Sequence, residues 1–455
     1  MRIIIIGAGE VGFNIAARLV TEGHDVLIVE QQEAILDRIS EALDIQAIRG
    51  HGARPSVLQE AGIEDAEMVI AVTDSDEVNM VACLNAAIFG RSDVIKIARV
   101  RDPAYLDERF FNDERVTIDR AINPERVTAD KIVGLLKYPA ITEIAEFSKG
   151  QVQLVRLPIT GTSPLAGLRF VDLAERFPKT QLLIAALHRD HQLIIPTGSD
   201  VILPGDEAYI VTQPNQCQVM LERVGIKGQS TSRVMIAGGS RIARFIAADL
   251  EAVGVQVKIV EPNARRAQIL AEELPHTVVI HGEPTDAELL KEENIHEMHA
   301  FIAVGQDEEL NMMSALLARR LGAPRVMATT NRGAYLPILS AIGIDVGISP
   351  RMVAVNSILH FVRRGRVVAA SMLGEEADAE AMEFEAVAGS DAVGVPLHAL
   401  KMPKDSLIAA IQRGDEVILP TGQTRIEADD HVLVVALEPA VAAVERLLQR
   451  RVDRE

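Results

Sequence analysis

The sequence is poor in cysteine, in positive charge and in long apolar runs. Cys83 and Cys217 are its only cysteines and stand far apart, which excludes a disulfide framework and a cysteine-based zinc site. There are 46 Lys and Arg residues against 65 Asp and Glu, so the net charge of -19 opposes binding to nucleic acid or to an anionic membrane surface. No apolar run reaches the roughly 18 residues that cross a bilayer, so we expect no direct bilayer insertion.

The remaining composition is that of an ordinary globular protein. The chain has 455 residues, of which 48% are hydrophobic and 24% charged. This length suits about three or four domains. The first residues form a strand pattern rather than a basic and apolar leader, so we expect a cytoplasmic protein.

The strongest motif lies in the first dozen residues. An apolar run at 3–6 is followed by Gly7-Ala8-Gly9-Glu10-Val11-Gly12 and then by a helical pattern from Phe13. A strand, a glycine turn and a helix in this order are typical of a dinucleotide-binding domain. The next apolar run, 26–29, is followed by Glu30, at the distance where a carboxylate accepts hydrogen bonds from a ribose hydroxyl.

Each position of this motif has its own physical role. Gly7 permits the tight turn, Gly9 lets the backbone approach a pyrophosphate, and Gly12 lets the helix pack closely on the strand. The free N–H groups of the helix N-terminus suit phosphate oxygens. Glu30 would repel a 2′-phosphate, so it favours NAD or an adenosine nucleotide.

The whole layout occurs twice. Residues 233–243 match 2–12, with a second loop of Gly238-Gly239-Ser240-Arg241-Ile242 and a second strand that ends in Glu261. Two smaller segments with strand alternation also repeat, since Leu183–Gly198 matches Leu407–Gly422. We therefore predict four domains, which comprise two nucleotide-binding domains and two small α+β domains in alternation: 1–140, 146–226, 232–365 and 375–455.

Short apolar runs alternate with helical stretches, and in copy one the runs are 3–6, 26–29, 45–48, 68–72 and 95–100. This alternation predicts an α/β fold with two Rossmann-like, doubly wound parallel sheets. In such sheets, ligands bind at the carboxyl ends of the strands. We therefore expect Thr73, Asp74 and Arg99 on the same rim as the first glycine loop. In the second copy Ser240 adds a side chain where a phosphate would lie, so we expect a weaker site there.

The two loops also differ in charge. Copy one has Glu10 in the loop, whereas copy two has Arg241, which can pair with phosphate oxygens. We therefore expect copy one to prefer a dinucleotide. Copy two, where it binds, would prefer a mononucleotide with a charged phosphate tail.

The first loop, together with the strings Ala71–Met80 and Ile97–Arg101, resembles the tandem RCK (KTN) family of bacterial Trk potassium-uptake regulators. The resemblance implies a nucleotide-binding regulatory subunit, not an enzyme. Each RCK N-terminal domain is then followed by an RCK C-terminal domain, and four chains form a ring under a TrkH-type membrane subunit at the inner face of the membrane. The resemblance also implies that the ligand is NAD(H), with ATP or ADP as the alternative. The residues to which it gives binding roles in copy one are Gly7, Ala8, Gly9, Glu10, Val11, Gly12, Glu30, Thr73, Asp74 and Arg99.

Two alternatives stay open at this point. An NAD-dependent oxidoreductase would need an acid or base placed against its substrate, but His188 and His191 have Gln412 and Asp415 at the matching positions of the second copy. A scaffold with vestigial nucleotide sites fits copy two better than copy one.

Apolar helices near 131–147 and 352–362 are expected to cross to a paired domain or a neighbouring subunit, with Gly134 and Pro139 interrupting the first. The alternative is that each helix packs on its own sheet.

Overall fold

A computed structural model describes residues 1–106, 118–177, 182–190, 192–226, 231–362, 368–374 and 379–448. The predicted domain boundaries at 365, 375 and 455 lie outside these residues, as does His191.

Each predicted nucleotide-binding copy contains a six-stranded parallel sheet. The strands of the first sheet are β1 (Arg2–Ile6), β2 (Asp25–Glu30), β3 (Gln46–Arg49), β4 (Met68–Ala71), β5 (Ile95–Arg99) and β6 (Arg120–Ile122). They lie in the order β3-β2-β1-β4-β5-β6, so the strand order reverses between β1 and β4. The helices of this part of the chain are α1 (Glu10–Thr21), α2 (Glu33–Ala42), α3 (Pro55–Glu60), α4 (Asp76–Phe89) and α5 (Pro124–Lys137).

The central strand explains why this sheet forms. β1 pairs in parallel with β2 and with β4, and its four isoleucines, 3–6, are 0 to 1% exposed. Parallel sheets are covered on both faces, so a continuous apolar run rather than alternation marks their inner strands. Loops at the carboxyl ends of β1 and β4 therefore meet where the strand order reverses.

The second copy repeats this topology. Its sheet has the order β14-β13-β12-β15-β16-β17. The strands are β12 (Arg233–Ala237), β13 (Gln256–Glu261), β14 (Val278–His281), β15 (Ala300–Ala303), β16 (Val326–Thr329) and β17 (Val346–Ile348). The helices are α8 (Arg241–Ala252), α9 (Ala264–Glu273), α10 (Ala287–Glu292), α11 (Glu308–Arg320), α12 (Leu336–Ala341) and α13 (Pro350–Val362).

Each parallel sheet is followed by a five-stranded antiparallel sheet. The first has the order β10-β9-β11-β8-β7 and the second β18-β19-β22-β20-β21. Their strands are β7 (Glu143–Phe147), β8 (Val152–Pro158), β9 (Leu183–Arg189), β10 (Gln192–Ile194), β11 (Glu207–Thr212), β18 (Ala369–Leu373), β19 (Ala379–Glu385), β20 (Ser406–Arg413), β21 (Glu416–Ile418) and β22 (His431–Leu437). The accompanying helices are α6 (Leu173–Arg176), α7 (Cys217–Arg223) and α14 (Glu438–Leu448). The predicted fold class is confirmed.

The chain divides into two compact units. Unit one contains residues 1–130, 329–333 and 348–362, and unit two contains 131–328, 334–347 and 363–455. In unit one, α13 from the second copy packs against α1 of the first. The expectation that this helix leaves its own copy is confirmed. The expectation that Gly134 interrupts the other apolar helix is wrong, because α5 continues through Gly134 to Lys137.

Within the described ranges, every helix is too short or too polar to traverse a lipid bilayer.

Candidate nucleotide-binding site

The first glycine loop connects β1 to α1 in unit one. Gly7 has a φ of +98°, which favours glycine, and a Cβ on Gly12 would lie 1.9 Å from the carbonyl oxygen of Gly7. Ala8 and Val11 are buried beside them. These contacts fix a tight turn with the helix start close to the end of the strand.

Gly9 has the opposite property. It is the N-cap of α1, no side chain caps the helix there, and an added Cβ would meet nothing within 4 Å. The space beside Gly9, at the N-terminus of a twelve-residue helix, is thus open. This is the arrangement in which backbone N–H groups and the helix dipole bind an anion.

Glu30 lies at the carboxyl end of β2, beside the loop. Its Oε2 accepts a hydrogen bond from the Ala8 N–H (2.8 Å), and its Oε1 accepts from the N–H groups of Gln31 (2.8 Å) and Gln32 (3.0 Å). The side chain is partly exposed. Its carboxylate is therefore held at the loop while it remains accessible to a ribose.

The loop after β4 forms the other side of the reversal in strand order. Asn79 is fully buried. Its Oδ1 accepts hydrogen bonds from the Thr73 N–H (2.9 Å) and hydroxyl (2.7 Å). Its Nδ2 donates to the carbonyl oxygens of Thr73 (3.1 Å) and Arg99 (2.9 Å). Asn79 thus joins the ends of β4 and β5. We did not predict it as a site residue, although its recurrence as Asn311 is visible in the sequence.

Two arginines lie together after β5. Arg99 Nη1 is 3.3 Å from the Asp74 carboxylate, and Arg101 donates to the Asp74 carbonyl oxygen. Burial, followed by the charge of Arg101, lowers the pKa of Arg99. Asp76 accepts from the N–H groups of Arg101 (2.9 Å) and Asp102 (2.8 Å) and ties this segment to α4. The rim thus carries two adjacent guanidinium groups, of which Arg101 was not predicted.

Glu10 is the first residue of α1 and forms an ion pair with Arg351, the second residue of α13. Both side chains are partly exposed. Arg351 therefore reaches the first glycine loop from the second copy of the sequence. No motif near Arg351 predicted this position, because its partner is distant in the chain.

The second glycine loop lies in unit two and is more closed. Gly238 has a φ of +91°, whereas a Cβ on Gly239 would lie 2.4 Å from Leu270 Cδ1. The Ser240 hydroxyl caps α8 by accepting from the Ala243 N–H (3.3 Å). The cap position that is open at Gly9 therefore carries a side chain in this copy.

Glu261 is buried, with 1% exposure. It accepts hydrogen bonds from the N–H groups of Gly239 (2.5 Å) and Asn263 (2.8 Å). Arg241 is exposed at the start of α8 and Ile242 is buried. The acidic residue of the second copy is thus held by the backbone and has almost no surface for a ribose.

Three histidines lie in contacts with the surrounding structure. His51 Nδ1 accepts from the Ala53 N–H (3.1 Å), and His281 Nε2 is 3.1 Å from the Pro262 carbonyl oxygen. His188 Nδ1 lies 3.2 Å from both Arg156 Nη2 and Glu207 Oε2.

Comparison with known proteins places this architecture in a defined class. The TrkA-N domain family matches residues 3–124 and 234–350, and the TrkA-C domain family matches 154–225 and 381–449. The protein is thus a tandem of alternating TrkA-N and TrkA-C domains.

A relative named Trk system potassium uptake protein TrkA, from Vibrio alginolyticus, is 37% identical, and the match covers 99% of both chains. The chain therefore belongs to the TrkA family of Trk system potassium uptake proteins.

Solved structures show the same fold at low sequence identity. The GsuK RCK domain has a TM-score of 0.63 at 18% identity and covers 98% of this chain and 94% of that one. The GsuK channel bound to NAD has a TM-score of 0.62 at 19% identity and covers 98% of this chain and 78% of that one. The predicted tandem RCK architecture is confirmed.

Proposed function

We propose that this protein is a cytoplasmic regulatory subunit that binds a nucleotide and gates a TrkH-type potassium transporter at the inner face of the membrane. Membership of the TrkA family supports the transport system. The observation that carries the nucleotide role is the open space beside Gly9, with the Glu30 carboxylate held at the same loop.

The ligand we propose for the first site is NAD(H), with ATP or ADP as the alternative. Its phosphates would lie at Gly7, Gly9 and the N-terminus of α1, beside the open space at Gly9. Its ribose would lie against Glu30, which suits an unmodified 2′-hydroxyl. The GsuK channel, whose RCK fold is similar, has been solved with NAD bound.

The second site is proposed to bind more weakly or to serve assembly. Ser240 fills the cap position and Glu261 is almost inaccessible. These two features favour a structural role for copy two, so the scaffold alternative applies to this copy. Exposed Arg241 remains the residue through which a charged phosphate tail would bind there.

We propose that the protein forms a homo-oligomer of four chains. Apolar side chains that both copies leave exposed support this proposal. On α4 they are Val81, Leu84 and Ile88, and on α11 they are Leu310 and Met313. Their spacing places each set on one face of its helix. Such a face is more stable when it is covered by a partner.

A regulatory role rather than catalysis is supported by the small domains. His188, the candidate acid or base on β9, contacts Arg156 and Glu207 on neighbouring strands. These contacts fix the imidazole within the sheet surface. The oxidoreductase alternative would need a partner constellation around this histidine.

Calorimetric titration of the full chain with NADH, and separately with ATP, tests the proposal. Gly9→Asp places a carboxylate where a phosphate would lie, and we expect it to abolish binding at the first site. The matched control is Ser240→Asp, because aspartate is also a good N-cap and preserves α8. We expect the control to retain binding at the first site.

Potassium flux through the TrkH-type subunit in vesicles, measured with and without NADH, tests the regulatory part. We expect the flux to change with NADH and to become insensitive in Gly9→Asp. An unmodified chain that binds neither nucleotide would favour the scaffold role for both copies.

A further inference from the structure

We propose that Arg351 binds the ligand phosphate of the first site, and that Glu10 takes the place of that phosphate when no ligand is present. This inference rests on the proposed nucleotide function and adds a residue from the second copy to it. It depends on contacts that lie entirely within unit one.

The ion pair lies where two helices begin. Glu10 is the first residue of α1, which has twelve residues, and Arg351 is the second residue of α13, which has thirteen. The N-terminus of a helix carries a partial positive charge. The carboxylate of Glu10 is paired with a guanidinium, and both side chains belong to the first turn of a helix.

The position of Arg351 is unfavourable for its own helix. A cation in the first turn is opposed by the helix dipole, whereas an anion such as Glu10 is favoured there. The pairing across the two helices therefore accounts for Arg351 better than the stability of α13 does. A carboxylate held by an arginine at a glycine loop is the arrangement that a phosphate group would replace, since both are oxyanions that accept hydrogen bonds from a guanidinium.

The open space beside Gly9 gives the phosphate a place to enter. Gly9 directly precedes Glu10, and apart from its own chain neighbours no residue lies within 4 Å of the position that its Cβ would take. A phosphate at this position could contact the loop N–H groups and the Arg351 guanidinium together. Glu10 would then turn toward solvent, which its partial exposure permits. Pairing with Arg351 also balances the negative charge by which Glu10 would repel a phosphate.

The test is a calorimetric titration of the full chain with NADH, using two variants that break the same ion pair. We expect Arg351→Gln to weaken binding about tenfold, which corresponds to the loss of one charge-assisted hydrogen bond. Glu10→Gln is expected to tighten binding about threefold, because it removes the competing carboxylate. Arg351→Lys, which keeps the charge but not the planar fork, should fall between wild type and Arg351→Gln.

The matched control is Arg91→Gln, which removes the same charge from another exposed ion pair. Arg91 lies 2.9 Å from Asp93 and precedes the amino end of β5, on the opposite edge of the sheet. We expect this variant to bind NADH like the wild type. The thermal unfolding midpoint without ligand should fall less in Arg351→Gln than in Glu10→Gln, because both lose the same pair but only Arg351→Gln also removes a cation that the helix dipole opposes.

The outcomes separate this inference from the function on which it rests. If Arg351→Gln binds like wild type, or if both variants weaken binding, the ion pair is structural and the inference is wrong while the nucleotide site stands. If the unmodified chain does not bind NADH, both the proposed NADH site and this inference are wrong.

Discussion

The two glycine loops have the same topology but differ in how much room they leave. In copy one, a Cβ on Gly9 would enter open space and Glu30 is partly exposed. In copy two, Ser240 fills the cap position and Glu261 is 1% exposed. The same strand, turn and helix can therefore leave an open loop or a closed one, and a few side chains decide which.

Duplication explains how this difference can be tolerated. Both sheets keep the buried asparagine that fixes the loop after the fourth strand, since Asn79 bonds to Thr73 and Asn311 bonds to Gly305 in the same way. The contacts that maintain the fold are thus common to both copies. The copies differ at the positions where we propose a ligand, because the space beside Gly9 is open in copy one and the Ser240 side chain caps the helix in copy two.

The largest effect on stability is expected when the residues at the last position of the two loops, Gly12 and Ala243, are each replaced by the residue of the other copy. Gly12→Ala would place a Cβ 1.9 Å from the Gly7 carbonyl oxygen and should lower the free energy of unfolding by about 2 to 3 kcal/mol through overpacking. Copy two already carries alanine there, and Ala243→Gly should cost only about 1 kcal/mol through helix propensity. Urea unfolding followed by circular dichroism measures both. Equal losses in the two variants would mean that the loops do not differ in packing.

The acidic residues provide a second test. Glu261→Gln should lower the free energy of unfolding by about 2 kcal/mol, because a fully buried carboxylate loses charge-assisted hydrogen bonds. Glu30→Gln should cost less than about 1 kcal/mol, since Glu30 is partly exposed, but it should weaken NADH binding. Thermal unfolding and calorimetry measure the two effects separately. A larger loss of stability from Glu30→Gln would reverse our assignment of ligand and structural roles.

The smallest effect on stability is expected from exchanging the cap residues. Gly9→Ser can supply the missing cap of α1 without a clash, so it should stabilise the fold by a few tenths of a kcal/mol, about the difference between glycine and serine at an N-cap. The same change should weaken NADH binding, because the hydroxymethyl group occupies the proposed phosphate position. Ser240→Gly should lose a similar small amount.

Unfolding midpoints and NADH titrations of Gly9→Ser and Ser240→Gly show whether stability and binding change in opposite directions. A Gly9→Ser variant that binds as well as wild type would show that the open space is not used by the ligand.

Much of the fold could be predicted because its signals are local. The runs at 3–6, 26–29, 45–48, 68–72 and 95–100 correspond to β1 through β5 with shifts of one residue at the ends. The sixth strands were not predicted. β6 and β17 have three residues each, and such short segments become strands only because a neighbouring strand supplies their hydrogen bonds.

The candidate site could be predicted only in part, for a related reason. The loop from Gly7 to Gly12 and Glu30 follow a spacing that is visible in the sequence. Asn79 and Arg101 act through contacts with the ends of other strands, so neither has a local signature. Arg351 is the extreme case, because it meets Glu10 only after α13 packs against α1.

The sequence by itself determined that this protein has two doubly wound sheets, each followed by a small antiparallel sheet, and that its first loop has the dinucleotide pattern. Those properties depend on short-range spacing of apolar residues and glycines. Only the tertiary structure decided that Glu30 is accessible, that Glu261 is buried, and that Arg351 lies at the first loop. Accessibility and partnership depend on side chains brought together from distant parts of the chain, which no local pattern records.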